Sequence, residues 1–243
     1  MTQSKAEIIA QDIAAKIRHQ QFKAGEFLPS ESQLTSLYGT SRETVRKALN
    51  SLMELGLIQK IRGKGSVVLD YDRYSFPISG ISSFNELNQS LGMQAETKVL
   101  KLEKVTRLPK LFKEKFPEQA DTTGIYLERL RIINGEPEVL DCDFLFSPPI
   151  NDLPKQAAQK SIYQYIENNL KLDISYATKV ITVEKVDDEC QKLLQLKDQL
   201  AVLVASHNFL SDTTLFQLTL SFHDPAKFKF IDFARRQKIS LND

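Results

Sequence analysis

Two stretches decide how the chain begins: Leu28-Pro29-Ser30-Glu31-Ser32-Gln33-Leu34 and Thr40-Ser41-Arg42-Glu43-Thr44-Val45-Arg46-Lys47-Ala48-Leu49. Ser30 stands three residues before Gln33, the spacing at which a serine hydroxyl takes an orphan helix N–H and the glutamine returns to the cap. That predicts a short helix from Glu31, with Leu34 and Leu37 inward and a stop at Gly39. Ser41 is then placed to cap a second helix, and Glu43 is favourable in its first turn. On this helix Val45, Leu49 and Leu52 form one side, Arg42, Arg46 and Asn50 lie on others, and Gly56 is the stop. Upstream, Ile9, Ile13 and Ile17 recur every fourth residue, which predicts an earlier helix. Downstream, apolar runs at residues 57–61 and 66–69 flank Arg62-Gly63-Lys64-Gly65, a hairpin with a cationic tip. Helix, short helix, tight turn, longer helix and basic hairpin, in that order, make a winged helix-turn-helix.

The charge agrees. Residues 1–70 hold ten Lys/Arg and seven Asp/Glu, whereas the whole chain of 243 residues has a net charge of only +1. A basic module on a slightly acidic body suits a nucleic-acid reader joined to something else, although a charge run alone is usually a solvated face. Arg42, Thr44 and Arg46 would meet base edges or phosphates, because the arginine fork matches the two acceptors of guanine and the threonine methyl suits thymine. Arg62 and Lys64, on a glycine turn, would enter a minor groove or clamp a phosphate.

With 42% hydrophobic residues the chain can bury one sizeable core or two modest ones. The longest apolar run, residues 201–205, is far short of a membrane span, and the charged start is no signal peptide. Cys142 and Cys190 form no CxxC pair. These features point to a cytoplasmic protein and exclude membrane-spanning, secreted and zinc-finger classes.

Residues 71–80 read as a linker and residues 81–243 as a second, mixed α+β domain with a mainly antiparallel sheet. Helices are expected near 84–91, 111–116, 162–170 and 188–196. Strands are expected near 96–105, 124–133, 137–146, 174–185, 201–210 and 214–222, and a final segment at 228–236. Arg129 and Arg131 share one strand face, which suggests an anion site. The plainer alternative is an outer cationic face paired with Glu136 or Glu138. Ser161 precedes Gln164 by three and would cap a helix, while Gln217 and His223 sit on or after the last strand. Two arginines, a helix start and neutral donors suit a phosphorylated polyol such as a sugar phosphate. Register supplies a check. A plain two-residue turn at Asn134-Gly135 would set Arg129 against Leu140, so a face shared by Arg129 and Asp141 requires an odd loop or a bulge.

The two opening stretches and the wing Arg62-Gly63-Lys64-Gly65-Ser66 resemble the GntR superfamily of bacterial regulators, with Ser32 where many members carry arginine. The resemblance implies DNA contacts at Ser32, Ser41, Arg42, Thr44, Arg46, Lys47, Arg62, Gly63, Lys64 and Gly65. From about residue 82 to 236 the chain resembles the effector domain of the HutC branch, whose fold is related to chorismate lyase. The match lies in Ser83-Phe84, Arg129 and Arg131, Gly135-Glu136-Pro137, Asp141, and Ser161 with Tyr163. Those residues, together with Gln217 and His223, are the implied effector site. Asp141, one methylene shorter, stands where glutamate is usual; Gln217 stands where glutamate is common and His223 where tyrosine is common, and these last two departures imply a ligand other than that branch's amino-sugar phosphates. The closing run Phe228-Lys229-Phe230-Ile231-Asp232-Phe233-Ala234-Arg235-Arg236 is similar to the trehalose operon repressors of Gram-positive bacteria. This implies trehalose 6-phosphate as effector.

The expected function is a repressor that binds a near-palindromic double-stranded DNA operator as a homodimer and is released by a sugar phosphate. The competing class is an enzyme acting on a small anion. It lacks support, since the sequence has no metal-ligand spacing, nucleophile elbow or phosphate-cradling glycine loop. No catalytic residue, metal or cofactor is expected. A constitutive DNA-binding protein with an unliganded second domain is the third reading.

Overall fold

The computed structural model describes residues 4–69, 84–91, 94–228 and 230. They fall into two compact units divided between residues 69 and 84. The expected boundary, the linker at 71–80, Ser83 and most of the closing run lie outside the described residues.

The first unit is a winged helix-turn-helix. Its first helix, α1 (Lys5–Arg18), starts under a Ser4/Glu7 capping box and buries Ile9, Ile13 and Ile17. The second, α2 (Glu31–Tyr38), has the Ser30/Gln33 capping box in both directions and ends at Gly39, whose φ of 54° is the left-handed conformation that favours glycine. Its third helix, α3 (Arg42–Glu54), is capped by Ser41, whose hydroxyl accepts from the Thr44 N–H. Val45, Ala48, Leu49 and Leu52 are buried with the α1 stripe in one core. Strands β1 (Ile58–Ile61) and β2 (Gly65–Val68) pair antiparallel, with Ile61 opposite Gly65. One expectation fails here: Leu37 is 64% exposed. The inward stripe of α2 is Leu34 with Tyr38, four residues apart, and the Tyr38 hydroxyl donates to Asp12 Oδ2 of α1 at 2.5 Å.

The second unit adds α4 (Phe84–Leu91), β3 (Ala95–Val105), α5 (Lys110–Lys115), β4 (Gly124–Ile133), β5 (Glu136–Phe146), α6 (Lys155–Lys160), α7 (Ile162–Asn168), β6 (Ile174–Lys185), α8 (Asp188–Leu194), β7 (Leu200–Leu210) and β8 (Leu215–His223). Six strands form one antiparallel sheet in the order β3-β4-β5-β8-β7-β6. Alternation along the strands gives it two differently built faces. Tyr126, Leu130, Cys142, Phe144, Leu218 and Leu220 pack with Phe112 of α5 and Cys190 and Leu194 of α8. On the other face Leu127 and Leu145 pack with Ala158, Ile162 and Ile166 of α6 and α7. Helix α6 was not expected; it starts at Pro154 without a side-chain cap, so no local signature marks it.

The β4–β5 connection answers the register question. Asn134 and Gly135, at φ 52° and 85°, close a two-residue turn with Ile133 opposite Glu136. The register then shifts: Ile132 faces Pro137, but Arg131 faces Val139. The bulge takes up Glu138 and sets Arg129 opposite Asp141.

Candidate functional site

In the first unit the expected DNA-facing residues stand on the first turn of α2, on the cap and first two turns of α3, and on the wing turn. Ser32, Ser41, Arg42, Arg46, Lys47, Arg62, Gly63, Lys64 and Gly65 are exposed, and Thr44 is half-buried. The Ser41 and Thr44 hydroxyls are 2.9 Å apart, so the cap also orients the threonine. Arg42, Lys47, Arg62 and Lys64 make no ion pair among the described residues. Arg46 is different: its Nε donates to Glu31 Oε2 at 2.9 Å, while Lys60 Nζ donates to Glu31 Oε1 at 2.7 Å. Neither Glu31 nor Lys60 carries a local sequence signal for this, because the two are 29 residues apart.

In the second unit the bulged register gathers a buried polar group on the α6–α7 face. Arg129 Nη2 donates to Asp143 Oδ2 at 2.6 Å, and Arg131 Nε donates to Asp141 Oδ2 at 2.8 Å. Arg131 Nη1 donates to Thr97 Oγ1 at 2.7 Å, and its guanidinium lies 4.4 Å from the centre of the Phe84 ring. On the β8 side Ser221 Oγ donates to Asp141 Oδ1 at 2.6 Å. Gln217 Nε2 and Thr219 Oγ1 donate to Asp143 Oδ1 at 2.8 and 3.0 Å. The alternative pairing with Glu136 or Glu138 is therefore overturned; those two glutamates face Lys227 instead.

Asp143, 1% exposed, joins the group beyond the residues the sequence singles out. Its signal was present: Arg129 and Arg131, and Asp141 and Asp143, are both spaced by two, so each pair shares a strand face.

The electrostatics follow from burial and pairing. Burial, then the neighbouring Arg129, draws Arg131 down to about 10 against the pull of Asp141, so Arg131 stays charged at neutral pH. Burial pushes the Asp141 carboxyl up, but Arg131 and Arg129 outweigh it and hold the group below its ordinary value. Burial lowers His223 to about 4 despite Asp141; its ring sits 5.0 Å from that of Phe228.

Two buried polar atoms of this group have no partner: Arg129 Nε, a donor, and Gln217 Oε1, an acceptor. Both side chains are anchored on Asp143, one from each side. An ionised carboxylate only accepts, so Asp143 fixes the Gln217 amide with its nitrogen inward. Nearby, Ser161 caps α7 by accepting from the Gln164 N–H, Ala158 O accepts from Arg129 Nη1 at 3.5 Å, and the Tyr163 ring packs edge-on to Phe216. Among the described residues no group of His, Cys, Asp and Glu could hold a metal ion, and no helix is long and apolar enough to cross a membrane.

Residues 5–68 match the family described as bacterial regulatory proteins, gntR family, and residues 90–229 match the UTRA domain. The chain belongs to the GntR family, with a UTRA domain. Over 240 residues it is 47% identical to the HTH-type transcriptional regulator TreR of Bacillus subtilis strain 168, covering 98% of this chain and 100% of that one. The mannosyl-D-glycerate transport/metabolism system repressor MngR of Escherichia coli K12 is 26% identical, covering 94% of this chain and 95% of its own. Among solved structures, the effector-binding domain of the B. subtilis trehalose repressor TreR is 40% identical over 59% of this chain and 99% of its own, with a TM-score of 0.51. The possible regulator YydK of B. subtilis superposes over 96% of this chain and 100% of its own with a TM-score of 0.78. At 22% identity that likeness concerns the fold alone. As a GntR-family regulator the chain binds DNA and answers to a small molecule.

Proposed function

We propose that this GntR-family regulator represses a trehalose uptake or utilisation operon and is released from its operator by trehalose 6-phosphate. The DNA contacts are Ser32 on α2, Ser41, Arg42, Thr44, Arg46 and Lys47 around the start of α3, and Arg62, Gly63, Lys64 and Gly65 on the wing. Two copies act as a homodimer on a near-palindromic operator, with their recognition helices about 34–36 Å apart in successive major grooves. The effector contacts are Ser83, Phe84, Arg129, Arg131, Asp141, Ser161, Tyr163, Gln217 and His223.

The observation that carries this reading is the unpartnered donor and acceptor beside Asp143. A hydroxyl can both accept and donate, so sugar hydroxyls would accept from Arg129 Nε and donate to Gln217 Oε1, satisfying the two buried atoms. Asp143 already balances Arg129, so the group bound beside that pair is neutral, as a sugar hydroxyl is. Arg131, Ser161 and Tyr163 remain to serve the phosphate. A relative named for trehalose repression, at 47% identity, supplies the sugar. A repressor of the same family answering to another sugar phosphate is the second reading, since the hydroxyl and phosphate partners named above would serve any phosphorylated sugar.

The test is operator-fragment binding by fluorescence anisotropy at fixed salt, with trehalose 6-phosphate, glucose 6-phosphate and free trehalose. Release by trehalose 6-phosphate alone is the expected result, with DNA weakening effector binding by the same factor. Tight binding unmoved by all three would sink the effector assignment.

A further inference from the structure

One carboxylate in the first unit holds two cations from two different elements. Glu31, in the first turn of α2, accepts from Arg46 of α3 on one oxygen and from Lys60 of β1 on the other. The acid is the better covered member: its side chain is 24% exposed, against 57% for Arg46 and 53% for Lys60. The three groups together keep one positive charge, and that charge faces solvent.

Exposed ion pairs contribute little to stability, so stability alone is a poor reason for the arrangement. Its geometry does more. Arg46 spends only Nε on Glu31, and neither terminal nitrogen has a partner among the described residues. The two terminal nitrogens are left for a base edge or phosphate. Lys60, a compact point charge beside it, suits a backbone phosphate.

We infer that Lys60 is a DNA-phosphate contact and that Glu31 is the positioning residue that holds Lys60 and Arg46 side by side against the duplex. The inference rests on α3 being the recognition helix and adds to the contacts proposed above a wing-strand contact and an acidic residue that positions it.

The experiment uses the full chain and two duplexes: one enriched by the wild-type protein from a randomised 30-base-pair pool, and one scrambled duplex of equal length. Lys60→Gln should weaken binding to both by similar factors and lower the slope of log K against log salt by about 0.9 per bound chain. Lys60→Arg should restore the slope. Glu31→Gln should split the two duplexes: scrambled DNA binds as tightly or tighter, because a negative charge is gone, while the enriched duplex loses about tenfold. Thermal melting of each variant checks folding independently. An unchanged slope in a folded Lys60→Gln protein would remove Lys60 from the interface. Equal loss on both duplexes by Glu31→Gln would reduce Glu31 to a structural residue. If the wild-type protein enriches no duplex, the recognition-helix reading falls and this inference falls with it; enrichment with an unmoved Lys60 slope defeats the inference alone.

Discussion

In the first unit the ion pairs stand in solvent, with Arg46 and Lys60 more than half exposed around Glu31. In the second unit the side chains of Arg129, Arg131 and Asp143 are 8%, 3% and 1% exposed. The same residue types thus do opposite work. Exposed cations keep their hydration and meet a polyanion whose binding is driven by released counterions, so approximate placement is enough. Buried charges have given up hydration and are tolerable only when almost every donor and acceptor is matched. A site that leaves one donor and one acceptor unmatched in such surroundings is selective for whatever completes it.

The most severe break of this contrast is Asp143→Ala. It strands the Arg129 guanidinium and the Gln217 amide in the interior, and should cost about 3–5 kcal/mol in denaturant unfolding of the second unit. Glu31→Ala, which removes the anion of the exposed cluster, should cost less than about 1 kcal/mol. Similar losses for the two would show that burial is not what separates them.

The pH dependence sharpens the contrast next. His223 is held down to about 4 by burial, from an ordinary value near 6.5. Below pH 6.5 the unfolded chain takes up a proton that the folded chain refuses until about pH 4. The stability tied to neutral His223 is therefore complete above 6.5 and lost progressively as pH falls to about 4, by at most about 3 kcal/mol. Glu31 in the exposed cluster is lowered by its hydrogen bonds from Lys60 and Arg46, so its contribution is lost only below its ordinary value of 4.5. Melting of the wild type and His223→Gln at pH 7.5 and 5.5 separates the windows, since only the wild type should soften between them on account of this residue.

Gln217→Leu comes third. It removes the unpartnered acceptor, keeps the volume close, and leaves Asp143 Oδ1 accepting from Thr219 alone. Affinity for trehalose 6-phosphate, measured by titration calorimetry, should fall about 10- to 100-fold, with operator affinity in its absence unmoved. Unchanged effector affinity would detach the orphan pair from the ligand.

What the sequence disclosed follows the same division. The caps at Ser30 and Ser41 and the αL stop at Gly39 are set by neighbours within four residues and formed as their spacing predicts, and Ser161 caps α7 without the return bond of a capping box. The register of Arg129 on Asp141 was legible only as a condition. Pairing could be stated as requiring a bulge, but nothing in the order of residues 136–139 fixes where the extra residue goes. Leu37 misled because an apolar residue three positions after Leu34 fits a helical stripe as well as one four positions after, and Tyr38 won through its bond to Asp12. Asp143 and the Glu31–Lys60 contact depend on long-range pairing, which periodicity does not encode.

The smallest effects compare two helix caps. Ser41 and Ser161 each accept from a backbone N–H three residues on, Thr44 and Gln164, at 3.2 and 3.3 Å. Alanine at either position should cost about 1 kcal/mol, because the lost bond is the same. Their functional consequences should part. Ser41 also orients the Thr44 hydroxyl on α3, the proposed recognition helix, so Ser41→Ala should weaken operator binding with effector affinity unchanged. Ser161→Ala should leave operator binding alone and weaken the response to effector. Equal stability loss with crossed functional loss would mean that the same capping chemistry serves an exposed DNA surface in one unit and a buried ligand site in the other. If both variants lost both functions in step with their melting temperatures, the two serines would be caps and nothing more.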